Sequence, residues 1–92
     1  MNIEKIVKVQ WIDSCSSDRW EGLEDLSFEP IECESCGYLI KDEKKYIVIA
    51  HSLGNSYEGK PNQCCGLMAI PKVAISNMVV LENKADGHPD KP

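Results

Sequence analysis

IECESCGYLIKDEKKYIVIAH, residues 31–51, reads as two apolar runs separated by the charged break Lys41-Asp42-Glu43-Lys44-Lys45. The run after the break, Tyr46-Ile47-Val48-Ile49-Ala50, is aromatic and β-branched, which suits a pleated, packed surface. A five-residue break suits a hairpin loop. The stretch therefore predicts a β-hairpin onto which the other strands pair. In its first arm, Ile31, Cys33, Ser35, Gly37 and Leu39 alternate with Glu32, Glu34, Cys36, Tyr38 and Ile40. Glu32 and Glu34 suit a solvent face; Tyr38 and Ile40 do not, so the inward face changes along the strand. Gly37 sits where a bulge or sharp bend would make that change. Such bends curl a short sheet toward a barrel.

Upstream, residues 5–12 predict a first strand with Val7, Val9 and Trp11 on one face and Lys8 and Gln10 on the other. Ser14, Ser16, Ser17 and Asp18 are each able to cap a helix. Trp20, Leu23 and Leu26 then recur every three residues, which predicts a short helix or 3₁₀ turn packed on one side. Gly22 keeps it to one or two turns. Pro30 favours an extended Glu29. Trp11, Trp20, Phe28 and Tyr38 read as core. Downstream, Ser52 to Gln63 is a long loop with turn chemistry at Gly54-Asn55, Glu58-Gly59 and Pro61-Asn62. Residues 64–70 predict a fourth strand, Pro71 to Ile75 a tight turn, and Asn77 to Leu81 a fifth strand. The fold expected is mainly β, a β-rich α+β class: a small bent antiparallel sheet or barrel of about five strands with one short helical turn after strand one. Residues 1–82 form a single β-rich domain and residues 83–92 a flexible C-terminal tail.

A chain of 92 residues holds one core, burying roughly 60–65% of its unfolded surface. No apolar run approaches the roughly 18 residues that span a bilayer. Met1-Asn2-Ile3-Glu4-Lys5 has no basic region followed by an apolar one, so a cytoplasmic protein without a membrane partner is expected. The five cysteines are then reduced, and their odd number argues against a closed disulfide framework. Cys33-Glu34-Ser35-Cys36 has zinc-knuckle or redox spacing, and Cys64-Cys65 offers a second pair. Strand period, however, puts Cys33 and Cys36, like Cys64 and Cys65, on opposite faces. The cysteines read better as small buried apolar side chains; no metal or cofactor is expected. A cysteine hydrolase needs a His beside a Cys and an oxyanion donor. The only histidines are His51, at a strand end, and His88, in the tail, so neither catalysis nor a small-molecule substrate is expected.

The net charge of −5 is unevenly placed. Residues 13–34 hold Asp13, Asp18, Glu21, Glu24, Asp25, Glu29, Glu32 and Glu34, opposed only by Arg19. A general nucleic-acid binder would be basic overall; this distribution fits a protein that meets a basic partner surface. The plain alternative is a solvated face that keeps the protein soluble. Glu21, Glu24 and Asp25, with Glu29 close by, lie on or beside the expected helical turn, where they are expected to cluster and imitate a phosphate backbone. In the opposite sense, Lys41, Lys44 and Lys45 cap the central hairpin and Lys60 lies in the long loop. They are placed to touch RNA phosphates, or simply to protect a sheet edge. Tyr57, an aromatic in a polar loop, reads as an interface anchor.

Two resemblances follow. From Cys36 to Leu81, the pattern CGYLI, a charged turn, YIVIA, a loop, CGLMAIPKVAIS and NMVVL is similar to the Sm-like fold, and to SH3-like barrels generally. Lys72-Val73-Ala74-Ile75-Ser76 falls where that fold carries a short turn before its last strand. This resemblance implies an RNA-binding or adaptor module, although Sm-like proteins place a helix before their first strand. The second resemblance covers most of the chain. VQWIDSCS, DRWEGLED, ESCGYLI and AIPK look like short bacteriophage proteins of the anti-CRISPR kind. It implies a stoichiometric inhibitor that binds the Cas subunits, and with them the guide RNA, of a type I-F surveillance complex in the host cytoplasm. Target DNA would thereby be blocked. A zinc-stapled small protein is the weaker third reading.

Overall fold

Alternation of apolar and polar residues is realised as five strands in one antiparallel sheet. The computed structural model describes residues 5–24, 26–54 and 61–83. The elements are β1 (Lys5–Asp13), β2 (Ile31–Asp42), β3 (Tyr46–Gly54), β4 (Gln63–Pro71), a 3₁₀ turn (Lys72–Ala74) and β5 (Ile75–Asn83). The order across the sheet is β4-β3-β2-β1-β5. β5 extends through Asn83, and residues 84–92, the expected tail, lie outside the described residues.

The sheet curls. Val7, Val9, Ile47 and Ile70 are fully buried, yet among the described residues no second layer covers them. A flat sheet of one layer would leave both faces wet. The chain also passes from Pro71 on one edge to Ile75 on the other through three residues. Four residue steps reach at most about 14 Å, whereas the edges of a flat five-stranded sheet lie about 19 Å apart. Only a curled sheet satisfies both facts. β4 and β5 do not pair among the described residues, so the sheet stays open and the barrel form is not reached.

β2 carries the bend. Its first part, Ile31 to Tyr38, pairs with β1, and its last part, Tyr38 to Asp42, pairs with β3. Gly37 sits at the handover. A Cβ there would lie 2.7 Å from the Ala50 carbonyl oxygen and 3.3 Å from Ile49 Cβ. The bulge expected at Gly37 comes three residues later, where the register slips between Leu39 and Lys41 and leaves Ile40 unopposed. The curl brings Val7 and Val9 of β1 against Ile47, Ile49 and Ile70, with Trp11, Leu39 and Ile75 packed around them. Trp11 Nε1 donates to Ser35 Oγ at 3.1 Å across the β1–β2 pair. The 3₁₀ turn is anchored from below: Lys72 N donates to the Lys45 carbonyl at 2.8 Å, and Lys72 Nζ lies 2.6 Å from Asp42 Oδ1.

Three expectations are corrected. The 3₁₀ turn lies between β4 and β5; between β1 and β2 the described residues form bends at Arg19 and Leu23 and a turn at Glu24, with no helix. Trp20 and Phe28 are not core: Trp20 is fully exposed and Phe28 about half exposed. A short helix needs an apolar face to pack against, and the concave face of the sheet is filled by its own strands. Nor are the cysteines buried. Cys36, Cys64 and Cys65 are exposed and Cys15 and Cys33 intermediate, because the core fits within a few strand positions and these lie outside them.

Candidate protein-binding surface

The connection between β1 and β2, residues 14–30, is held by side-chain bonds in place of helix. Ser14 N donates to Asp13 Oδ1 at 2.8 Å. Arg19 N donates to Ser17 Oγ at 3.3 Å, and that hydroxyl donates to Glu21 Oε2 at 3.0 Å. Cys15 Sγ donates to the Glu29 carbonyl at 3.0 Å, stapling the two ends of the connection. Serine and aspartate offer such bonds in competition with helical ones. The result is an ordered turn that presents its apolar side chains outward: Trp20 is 101% and Leu23 88% exposed.

Glu21 and Glu24 are exposed in this connection. Asp25 lies outside the described residues. The connection leaves the sheet where Asp13 pairs with Ile31, and Glu32 and Glu34 of β2 follow directly. There an open concavity of about 460 Å³ is lined by Gln10, Trp11, Glu32, Cys33, Glu34 and Ser76. Gln10 Nε2 donates to Glu34 Oε2 at 3.5 Å, and Lys8 Nζ stands 3.8 Å from the same oxygen. A rim that carries Glu32 and Glu34 can receive basic side chains, drawn in by Coulomb attraction.

The lysines stand elsewhere. Lys41 is next to last in β2, and Lys44 and Lys45 lie in the loop between β2 and β3; all are exposed. They share this loop with Glu43, and the neighbouring Asp42 already pairs with Lys72. The acidic connection joins the start of β2 and the lysine loop its end, and no ion pair among the described residues links the two groups. Tyr57 and Lys60 lie outside the described residues. Among the described residues no group of three or more His, Cys, Asp or Glu converges as a metal site would. Cys33 pairs with Trp11 and Cys36 with Lys8, which puts the two on opposite faces.

Sequence reasoning missed the exposure of Trp20 and Leu23, because their threefold spacing reads equally as one packed face. The signal that was present is the polar character of 14–22, where Cys15 is the one apolar residue besides Trp20 to extend such a face. No helix of the described residues is long and apolar enough to cross a membrane. Comparison with protein-family models, with curated proteins and with solved structures finds no match.

Proposed function

We propose that this protein is a non-enzymatic binding protein that docks through its acidic β1–β2 connection, with Trp20 as the anchor. The observation that carries the reading is a fully exposed indole, flanked in sequence by Asp18, Glu21 and Glu24, on a connection with side-chain hydrogen bonds of its own. Tryptophan is enriched among residues that dominate binding energy, and an ordered turn loses little entropy on docking. The partner chemistry is a basic surface with an apolar recess. The likeness to short phage proteins names the partner to try first, a type I-F Cas surveillance complex. Such effectors hold nucleic acid in a positively charged channel. An acidic protein seated there occupies the place of target DNA as a stoichiometric inhibitor.

The test is titration of the purified protein into that complex, with target DNA loading followed in the same samples. The reading expects saturation at a fixed ratio and loss of DNA loading. Trp20→Ala, and separately Glu21→Lys with Glu24→Lys, weaken binding at least about tenfold, a loss of about 1.4 kcal/mol. No binding at micromolar concentration rejects this partner. A second reading, an Sm- or SH3-like RNA-binding or adaptor module, draws support from the 3₁₀ turn at Lys72–Ala74 before the last strand. Salt-dependent binding of free RNA would favour it.

A further inference from the structure

The β3–β4 hairpin changes character at one row of the sheet. Up to Ala50, β3 is held on both sides: β2 pairs with Ile47 to Ala50, and β4 with Tyr46 to Ala50. Beyond Ala50 the β2 ladder stops, because β2 from Gly37 back to Ile31 pairs with β1 alone. The β3–β4 ladder loses a rung at the same place. Ala50 pairs with Leu67 and Ser52 with Cys65, but the pair between them, His51 with Gly66, is missing. Gly66 has φ of 70°, far from the extended backbone of a strand. Pairing then resumes in the same register at Ser52–Cys65, Leu53–Cys64 and Gly54–Gln63, and Asn62 N donates to the Gly54 carbonyl at 3.3 Å. The buried core also ends here: Ile47, Ile49, Ala50 and Ile70 lie before the row, and none of residues 51–54 or 63–66 is buried. One side chain spans the gap. His51 lies over Gly66, its Cβ, Cγ and Nδ1 being 2.7, 2.9 and 3.2 Å from the position a Cβ would take there.

We propose that residues 52–54 and 63–65 form an arm that swings as one unit about the His51–Gly66 row. A two-stranded ribbon with no third strand and no buried side chain has little stability of its own, so motion concentrates in it. The missing rung sets where it bends. No ladder pair constrains the backbone at His51 and Gly66, and a residue without a side chain turns most freely. The intact pairs beyond the row keep the arm in one piece. That separates swinging from fraying: a fraying end loosens gradually from its tip, whereas a hinge gives a step. The His51 ring, resting on Gly66 as aromatic rings do on cross-strand glycines, is the contact that limits the swing. The arm parts from the β1–β2 ribbon at the Tyr38–Ala50 pair. Its swing therefore sets the opening between itself and the ribbon that carries the acidic connection.

The test is measurement of residual dipolar couplings for the backbone amides of the full chain. Amides of residues 47–50 and 67–70 report on the sheet, and those of residues 52–54 and 63–65 on the arm. The arm's couplings are expected to be reduced by one common factor, to an order parameter below about 0.6 against about 0.85 for the sheet. The change falls as a step at the His51–Gly66 row. His51→Ala, at an exposed position, lowers the arm's value further and leaves the sheet's unchanged. One rigid alignment that fits arm and sheet together overturns the proposal. So does a graded fall from Ala50 to Gly54 without a step. A His51→Ala chain whose arm is unmoved, or whose sheet loosens as much as its arm, overturns it as well.

Discussion

Two glycines decide how closely strands approach. At Gly37 a Cβ would meet the Ala50 carbonyl at 2.7 Å, and that carbonyl is backbone, so it cannot swing aside. Gly66 has φ of 70°, in the left-handed region, and a Cβ there would meet His51 Cβ at 2.7 Å. A left-handed non-glycine residue costs about 1–2 kcal/mol, and overpacking adds about 1–3 kcal/mol. Gly37→Ala and Gly66→Ala are each expected to destabilise by about 2 kcal/mol or more, read from urea midpoints at constant slope. Gly22 has nothing within 4 Å of its Cβ position, and Gly22→Ala is expected to move the midpoint little. At the same scale, Ile47→Ala removes a fully buried side chain. It is expected to cost about 2–5 kcal/mol, a large part of the roughly 5–15 kcal/mol typical of a domain.

Among the elements, the strands were legible and the connection was not. All five were read from period two and turn residues, with ends short by one to three positions. Continuous apolar runs such as Ile47 to Ala50 carry their own signal. Trp20, Leu23 and Leu26 had the right spacing for a helical turn, yet spacing cannot tell whether a surface exists to receive them. That depends on how far β1 and β2 curl away, a property of Gly37 and of the distant Ile40 bulge. The run of acidic residues was legible from composition, while the exposure of Trp20 within it was not. Because Trp20 touches nothing that holds the fold, Trp20→Ala is expected to leave the unfolding midpoint unchanged while partner binding falls. The Lys72–Asp42 pair is about half exposed on both sides. Surface pairs contribute about 0–1 kcal/mol, so Asp42→Asn is expected to cost under about 1 kcal/mol in the same melts.

On the scale of the whole molecule, one curled sheet sets its two faces apart from its connections. The concave face is spent on the core. The acidic connection at the start of β2 stays exposed, and the docking proposal assigns it to a basic partner. The measurement that bears most directly on the docking claim is hydrogen exchange of the chain, free and mixed with the type I-F surveillance complex. The account predicts new protection across residues 13–34, with β3 and the lysine loop unchanged. Protection confined to Lys41–Lys45, or none at saturating complex, would contradict it.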